Sequence, residues 1–189
     1  MHFYERLNRQ KSVGDVSSGE RQQKKIFANS NMYGVYDVPT DGNCLFSAVS
    51  LAYALEKKIH CSPSTLRRMS RELRTRAVNI LSDTEAMYDD LPLSTLIETD
   101  DKESYCNRMR QSETWGSVTE IIAISKVLQR PIHVHAHFGV ERYGHGEDDP
   151  LCIRYADHHY QTLHKLSHDR SKIALGVCLV IMGVIAIQN

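Results

Sequence analysis

The sequence predicts one domain of the α+β class, with helices in the first part of the chain and strands in the last part. Apolar residues recur at steps of three and four between residues 45 and 129, which is typical of amphipathic helices. After Pro131 the apolar residues alternate with polar ones, which is typical of strands. A chain of 189 residues usually forms a single hydrophobic core. We therefore expect a small sheet that packs against the helices.

The first predicted elements are a strand, a tight turn and a helix. Residues 33–38 (YGVYDV) are β-prone and end at Pro39, after which residues 40–42 (TDG) form a turn. The helix that follows has one apolar stripe, made of Leu45, Ala48, Val49, Ala52 and Leu55. Residues 1–30 have few apolar positions and no clear period. We expect them to be a variable extension that is disordered or forms a loosely docked helix.

Two further helices and three strands complete the predicted domain. Ser62 begins the second helix, and the spacing of Ser117 and Glu120 is that of a capping box at the start of the third. Residues 83–113 are acidic and broken, with short helical pieces at most. The segment 139–150 is rich in glycine and charge and is predicted to be a mobile loop beside the site. Strands are predicted at residues 132–136, 151–155 and 159–163.

Composition argues against several kinds of partner and site. Basic and acidic residues number 23 each, so no overall field attracts nucleic acid. The five cysteines contain no C-x-x-C pair, which argues against disulfides and a zinc knuckle and indicates a reducing, cytosol-like compartment. His133, His135 and His137 alternate along a predicted strand, a pattern that could bind zinc. We expect them to face solvent instead, because the apolar residues between them face the core, and no metal or cofactor is predicted.

An apolar tail, residues 169–189, follows the predicted domain. Between Ile173 and Ile187 it holds fifteen apolar or glycine residues without a charge. As a helix, this stretch would extend about 22 Å, against the roughly 30 Å of a membrane's hydrocarbon core. A membrane anchor is the favoured hypothesis, and a buried terminal strand or helix is the alternative.

Cys44 is the strongest candidate for a reactive side chain. It begins a helix directly after Asp41, Gly42 and Asn43, where free backbone N–H groups and the helix dipole favour an ionised sulfur. The same N–H groups could stabilise the oxyanion of a tetrahedral intermediate. A lone free cysteine is more often an inert core residue, so the interpretation also requires a base from elsewhere in the chain. His159, on the last predicted strand, is the best-placed candidate.

Four short motifs together resemble the ovarian tumour (OTU) family of papain-like deubiquitinases. They are D-G-N-C-L-F-S-A at 41–48, W-G-S at 115–117, P-I-x-V at 131–134 and H-Y at 159–160. The resemblance implies a papain-like OTU catalytic domain over residues 31–168, with a small central sheet packed between helices. It also implies an isopeptidase that releases ubiquitin from lysine through a thioester acyl-enzyme, without metal or cofactor.

The resemblance assigns the nucleophile to Cys44, the general base to His159 and the aspartate of the cysteine loop to Asp41. His158 is excluded, because neighbouring strand residues face opposite sides of a sheet and the family's base directly precedes the aromatic residue. The family commonly has Asp or Asn two residues after the base to orient the imidazole, and this chain has Gln161. Asp157 competes for that role if its strand extends far enough, and the sequence does not decide between the two.

Two other functions remain open at this stage. One is a thiol hydrolase for a ubiquitin-like modifier, whose active site would look the same in sequence. The other is a non-catalytic ubiquitin-binding module, which the unusual Gln161 and the apolar tail suggest. In each case the domain is expected to face the cytosol, which would be a host's cytosol if the protein is a pathogen effector.

Overall fold

A computed structural model describes residues 24–28, 31–99 and 101–166 of the chain. The described helices are α1 (Cys44–Glu56), α2 (Pro63–Ser82), α3 (Lys102–Met109) and α4 (Val118–Leu128), with a short 3-10 helix at Leu93–Leu96. The described strands are β1 (Lys24–Ala28), β2 (Asn31–Tyr36), β3 (Met87–Tyr88), β4 (Leu91–Pro92), β5 (Ile132–Ala136), β6 (Gly139–Tyr143), β7 (Leu151–Ala156) and β8 (His159–Lys165).

Six of these strands form one mixed sheet in the order β1-β2-β8-β7-β5-β6. Every neighbouring pair is antiparallel except β5 and β7, which are parallel. The strand β8 is therefore central, between β2 and β7, although it comes last among the described elements. The remaining two strands, β3 and β4, form a separate small hairpin. The order of elements confirms the predicted α+β class.

The helix α1 lies in the middle of the core. It packs against β7 and β8 on one side and against α2 on another, and α2 packs in turn against α4. Because protein surrounds it, α1 is apolar on nearly every face, with Phe46, Ala48 and Val49 fully buried. The opposite face of the sheet has a smaller cluster, formed by Tyr33, Val35, Cys152 and Leu163.

The predicted helix starts are confirmed at two caps. The Ser62 hydroxyl accepts a hydrogen bond of 3.2 Å from the Thr65 backbone N–H at the start of α2. At the start of α4, Ser117 and Glu120 form the predicted capping box. Both caps satisfy backbone N–H groups that the first turn of a helix leaves without a partner.

Other sequence predictions are wrong. Residues 24–28 form the edge strand β1, where we expected disorder or a loose helix. Residues 139–143 form the strand β6, where we expected a mobile loop. Both are edge strands of the sheet, and their pairing uses backbone hydrogen bonds. Such strands therefore form with little alternation of apolar and polar residues in the sequence. Nor does His135 face solvent, because it is buried with its ring edge-on to Tyr33 at a centroid distance of 5.2 Å.

In the part of the chain that the structure describes, no helix is long and apolar enough to cross a membrane. The segment 173–187 lies outside the described residues. The membrane anchor therefore stays a prediction.

Candidate active site

The turn that precedes α1 is held by short-range contacts. The Asn43 backbone N–H donates to Oδ1 of Asp41 at 3.1 Å, so this carboxylate braces the turn. Gly42 has a φ of +76°, and a Cβ atom there would lie 2.5 Å from the backbone carbonyl of Glu113. Only glycine fits such a conformation and such a close approach. The turn is thereby fixed against the segment that leads to Trp115.

Cys44 is the first residue of α1, and its side chain is half-buried. The first intrahelical bond joins the Ser47 N–H to the Asn43 carbonyl, so the earlier N–H groups of the turn lack helical acceptors. These N–H groups and the positive end of the helix dipole lie where an anionic sulfur or oxyanion would form. The thiol is therefore accessible and adjacent to donors that stabilise negative charge.

Cys44 opens onto a cleft of about 390 Å³. Two large apolar side chains on its border are mostly exposed, Trp115 at 65% and Phe138 at 63%. Sequence reasoning placed the segment 139–150 beside the site, and Glu141 and Tyr143 of β6 do line the cleft, but it missed Phe138, which directly precedes that segment. The cleft is lined by Cys44, Trp115, Gly116, Ser117, Val118, Ile121, Val134, Ala136, Phe138, Glu141, Tyr143, Tyr155, His158 and Tyr160.

The cleft wall that contains Trp115 is fixed on its core side by a buried carboxylate. Glu120 is fully buried and accepts hydrogen bonds from the Ser117 backbone N–H at 2.8 Å and from the Tyr105 hydroxyl at 2.6 Å. Burial, together with this contact to Glu120, raises the pKa of Tyr105, so the phenol remains a donor. A Cβ atom on Gly116 would lie 2.6 Å from the Leu45 side chain, so this wall packs directly on α1.

His158 lies in the two-residue turn between β7 and β8, and it lines the cleft with Cys44. The backbone of this turn is left-handed, with φ values of 53° at Asp157 and 57° at His158. Strand alternation therefore does not apply to His158, and our exclusion of it by that argument is wrong.

His159 is half-buried, is the first residue of β8 and pairs with Ala156. It is not among the described residues that line the cleft. The next residue, Tyr160, does line it, and burial, Tyr155 and Cys44 all raise the pKa of the Tyr160 phenol. The structure therefore brings Cys44 together with His158 and Tyr160, and the role of His159 stays a prediction.

The side chain of Gln161 is held by two charged groups. Its Oε1 accepts from Arg154 at 2.6 Å, and its Nε2 donates to a carboxylate oxygen of Asp37. The sequence predicted neither partner, because Asp37 lies more than a hundred residues earlier, at the end of β2. Asp157 is exposed and lies before the start of β8, so the strand that carries His159 does not extend far enough for the alternative role we gave Asp157.

No group of three or more His, Cys, Asp or Glu side chains among the described residues could hold a metal ion. Burial lowers the pKa of both His133 and His135.

Comparison with known proteins identifies the same family as the motifs. A family model described as OTU-like cysteine protease matches residues 39–165. The ubiquitin thioesterase otu2 of Schizosaccharomyces pombe is 29% identical over 164 residues, which cover 79% of this chain and 51% of that protein. The ovarian tumor domain-containing deubiquitinating enzyme 4 of Arabidopsis thaliana is 29% identical over 74% of this chain and 45% of its own length. The chain thus spans about half the length of these relatives.

Solved structures share the fold at lower sequence identity. The viral OTU domain protease of Dera Ghazi Khan virus superimposes with a TM-score of 0.55 and 19% identity, over 76% of this chain and 87% of that one. The Hazara virus OTU bound to ubiquitin gives a TM-score of 0.54 and 19% identity, over 77% and 88% of the two chains. These similarities confirm the expected papain-like fold.

Proposed function

The chain belongs to the family of OTU-like cysteine proteases, and from this membership we propose that it is a deubiquitinase. It hydrolyses the isopeptide bond between the C-terminal glycine of ubiquitin and a lysine, in conjugates or in polyubiquitin chains. The observation that carries the proposal is the half-buried Cys44 thiol, at a helix N-terminus and on an open, largely apolar cleft within the matched region. Two relatives are named as enzymes of this kind, and one structural neighbour is bound to ubiquitin.

In the proposed reaction, the Cys44 thiolate attacks the glycine carbonyl after a histidine has taken its proton. The negative charge moves to the carbonyl oxygen, where the N–H groups of the turn before α1 stabilise it. The lysine amine leaves with the proton that the histidine returns, and a thioester remains on Cys44. Water then attacks the thioester by the same sequence of proton transfers and regenerates the thiol.

We assign the histidine to His159, because it directly precedes the aromatic residue in the H-Y motif. His158 is a second candidate, because it lines the cleft that contains Cys44. For the imidazole orienter we propose Gln161, whose amide is itself positioned by Arg154 and Asp37.

The direct test uses a panel of diubiquitins that together contain every linkage type. We expect the full chain to cleave at least one of them, and Cys44→Ala to cleave none while unfolding at the same temperature. Retained cleavage by Cys44→Ala would reject the nucleophile. Cleavage of none by the unaltered chain would reject ubiquitin chains as the substrate.

The alternative substrate is a ubiquitin-like modifier, and modifier probes with electrophilic C-termini distinguish the two. The modifier that labels Cys44 identifies the substrate class. A non-catalytic ubiquitin-binding module would bind ubiquitin without labelling.

We further propose that the domain works in a reducing, cytosol-facing compartment, since Cys44, Cys106 and Cys152 are free thiols. Residues 173–187 would attach it to a membrane. Fractionation of cells that express the full chain, or a chain ending at residue 172, tests the attachment. Equal amounts of both in the soluble fraction would reject it.

A further inference from the structure

A buried arginine outside the catalytic motifs lies beneath the cysteine loop. Arg74 is in the middle of α2, and only 2% of its side chain is exposed. Because the side chain is buried, its guanidinium points into the protein, beside the apolar stripe of α2 that contains Leu73. Burial of an arginine is costly unless its donors are satisfied, so the contacts of this side chain indicate what it holds in place.

The donors of Arg74 bind two separate segments of the chain at once. On one side, Nε donates to the Asn43 side chain at 3.1 Å and Nη2 to the Gly42 carbonyl at 2.9 Å, both in the turn before Cys44. On the other side, the guanidinium donates to the segment that leads to the cleft wall at Trp115. The acceptors in this segment are the backbone carbonyls of Met109 at 2.9 Å, Ser112 at 3.2 Å and Thr114 at 2.9 Å. The guanidinium also lies 4.2 Å from the centre of the Phe46 ring in α1.

None of these partners carries a charge. Among the described residues Arg74 forms no ion pair within 4 Å, so its positive charge is not cancelled by contact. Burial lowers the pKa of Arg74 to about 10, while Glu120, Asp41 and Cys44 act in the opposite direction through their negative charge. The side chain is therefore still a cation at neutral pH.

We propose that Arg74 is a positioning residue of this active site: its guanidinium fixes the turn before Cys44 against the cleft wall. This inference rests on the proposed function, because it concerns the same nucleophile. Lysine keeps the charge but cannot reach the two segments with a planar set of donors, so Arg74→Lys tests the fork geometry.

The first experiment compares the thermal unfolding of the full chain with that of Arg74→Lys and of Arg71→Met, which removes an exposed arginine one turn earlier on α2 and should change nothing. Arg74→Lys should unfold at a lower temperature, because the lysine ammonium cannot satisfy all the acceptors that the guanidinium binds. An unchanged unfolding temperature would contradict the role of Arg74 as a link between the two segments.

The second experiment separates positioning from simple stability. With a fluorogenic ubiquitin C-terminal amide, Arg74→Lys should lose about tenfold or more in kcat while KM changes less than about twofold, since the turn is misplaced and the substrate surface is intact. A folded Arg74→Lys with normal kcat would overturn the positioning role. If Arg74→Lys does not fold, Arg74→Met takes its place in the same assay. An unaltered chain that cleaves no ubiquitin substrate would reject the proposed function instead, and the labelling of Cys44 by iodoacetamide at one pH in the unaltered chain and in Arg74→Lys would still report whether the turn has moved.

Discussion

The Thr162 hydroxyl donates a hydrogen bond of 2.7 Å to the backbone carbonyl of Ala48, and both residues are fully buried. This bond fixes the strand β8 against the helix that begins at Cys44. Because side chains alternate along a strand, Tyr160 shares the α1-facing side with Thr162, whereas His159 and Gln161 leave the strand on the other side. The geometry of the site therefore depends on how β8 is held by α1.

Replacement of Thr162 by valine tests that contact. Valine keeps the shape but removes the donor, so we expect the free energy of unfolding to fall by about 1 kcal/mol, as measured by chemical denaturation. The matched control is Thr75→Val on α2, where an exposed hydroxyl makes a similar bond of 2.9 Å to the Arg71 carbonyl. The control should lose less than about 0.5 kcal/mol. Equal losses in the two variants would contradict a special role for the buried bond.

Gly42→Ala should lower both the stability of the fold and the catalytic rate. The added Cβ meets the Glu113 backbone at 2.5 Å in a left-handed conformation that alanine adopts at a cost of about 1–3 kcal/mol. We expect a lower melting temperature and a greater loss of kcat than of KM, because the donors of the turn move. The control is Gly139→Ala, which also has a positive φ but an unobstructed Cβ position. If both variants behave alike, the close approach to Glu113 is not what requires glycine.

The buried His135 should make the protein sensitive to acid. Burial lowers its pKa below the ordinary value of 6.5, and both of its ring nitrogens lack a hydrogen-bond partner in the described structure. The unfolded chain therefore takes up the proton first, so this group costs no stability above pH 6.5 and destabilises the fold as the pH falls from there toward the lowered pKa.

Between pH 7.5 and pH 5.5, we expect the melting temperature of His135→Phe to fall by less than that of the unaltered chain. The comparison is His60→Phe, an exposed site at which the acid loss should be unchanged. An acid loss in His135→Phe as large as in the unaltered chain would show that other groups cause it.

Local sequence signals predicted much of this fold. The caps at Ser62 and Ser117 depend on residues within one helical turn, so their patterns are visible in the sequence. Arg74 is different, because five of its hydrogen-bond acceptors lie more than thirty residues away in the chain. A lone arginine beside Leu73 on an apolar stripe is the one signal that could have found it.

The turn at residues 157–158 was missed for a related reason. Residues with positive φ are most often glycine or asparagine, and this turn has Asp157 and His158 instead, whose weaker preference for the left-handed region was overlooked. The sequence thus identified Cys44 and its turn, which are local, but it could not predict which histidine ring enters the cleft.

Single substitutions distinguish the two histidines, because the sequence motif and the cleft favour different residues as the general base. The H-Y motif assigns the base to His159, while the structure has His158 on the cleft with Cys44. His159 begins β8 directly after the turn at 157–158, so a change in this turn would move its ring relative to Cys44. We expect this turn to rearrange when substrate binds.

On that basis His159→Gln should lower kcat/KM for a fluorogenic ubiquitin amide by at least about 100-fold, the usual contribution of a general base. His158→Gln should retain activity within about threefold, and both should unfold at the same denaturant concentration as the unaltered chain. If His158→Gln loses the activity and His159→Gln keeps it, the base is the turn residue and the motif misassigns it. Substantial loss in both would indicate that His158 positions the ring of His159, since a single proton acceptor cannot be two residues at once.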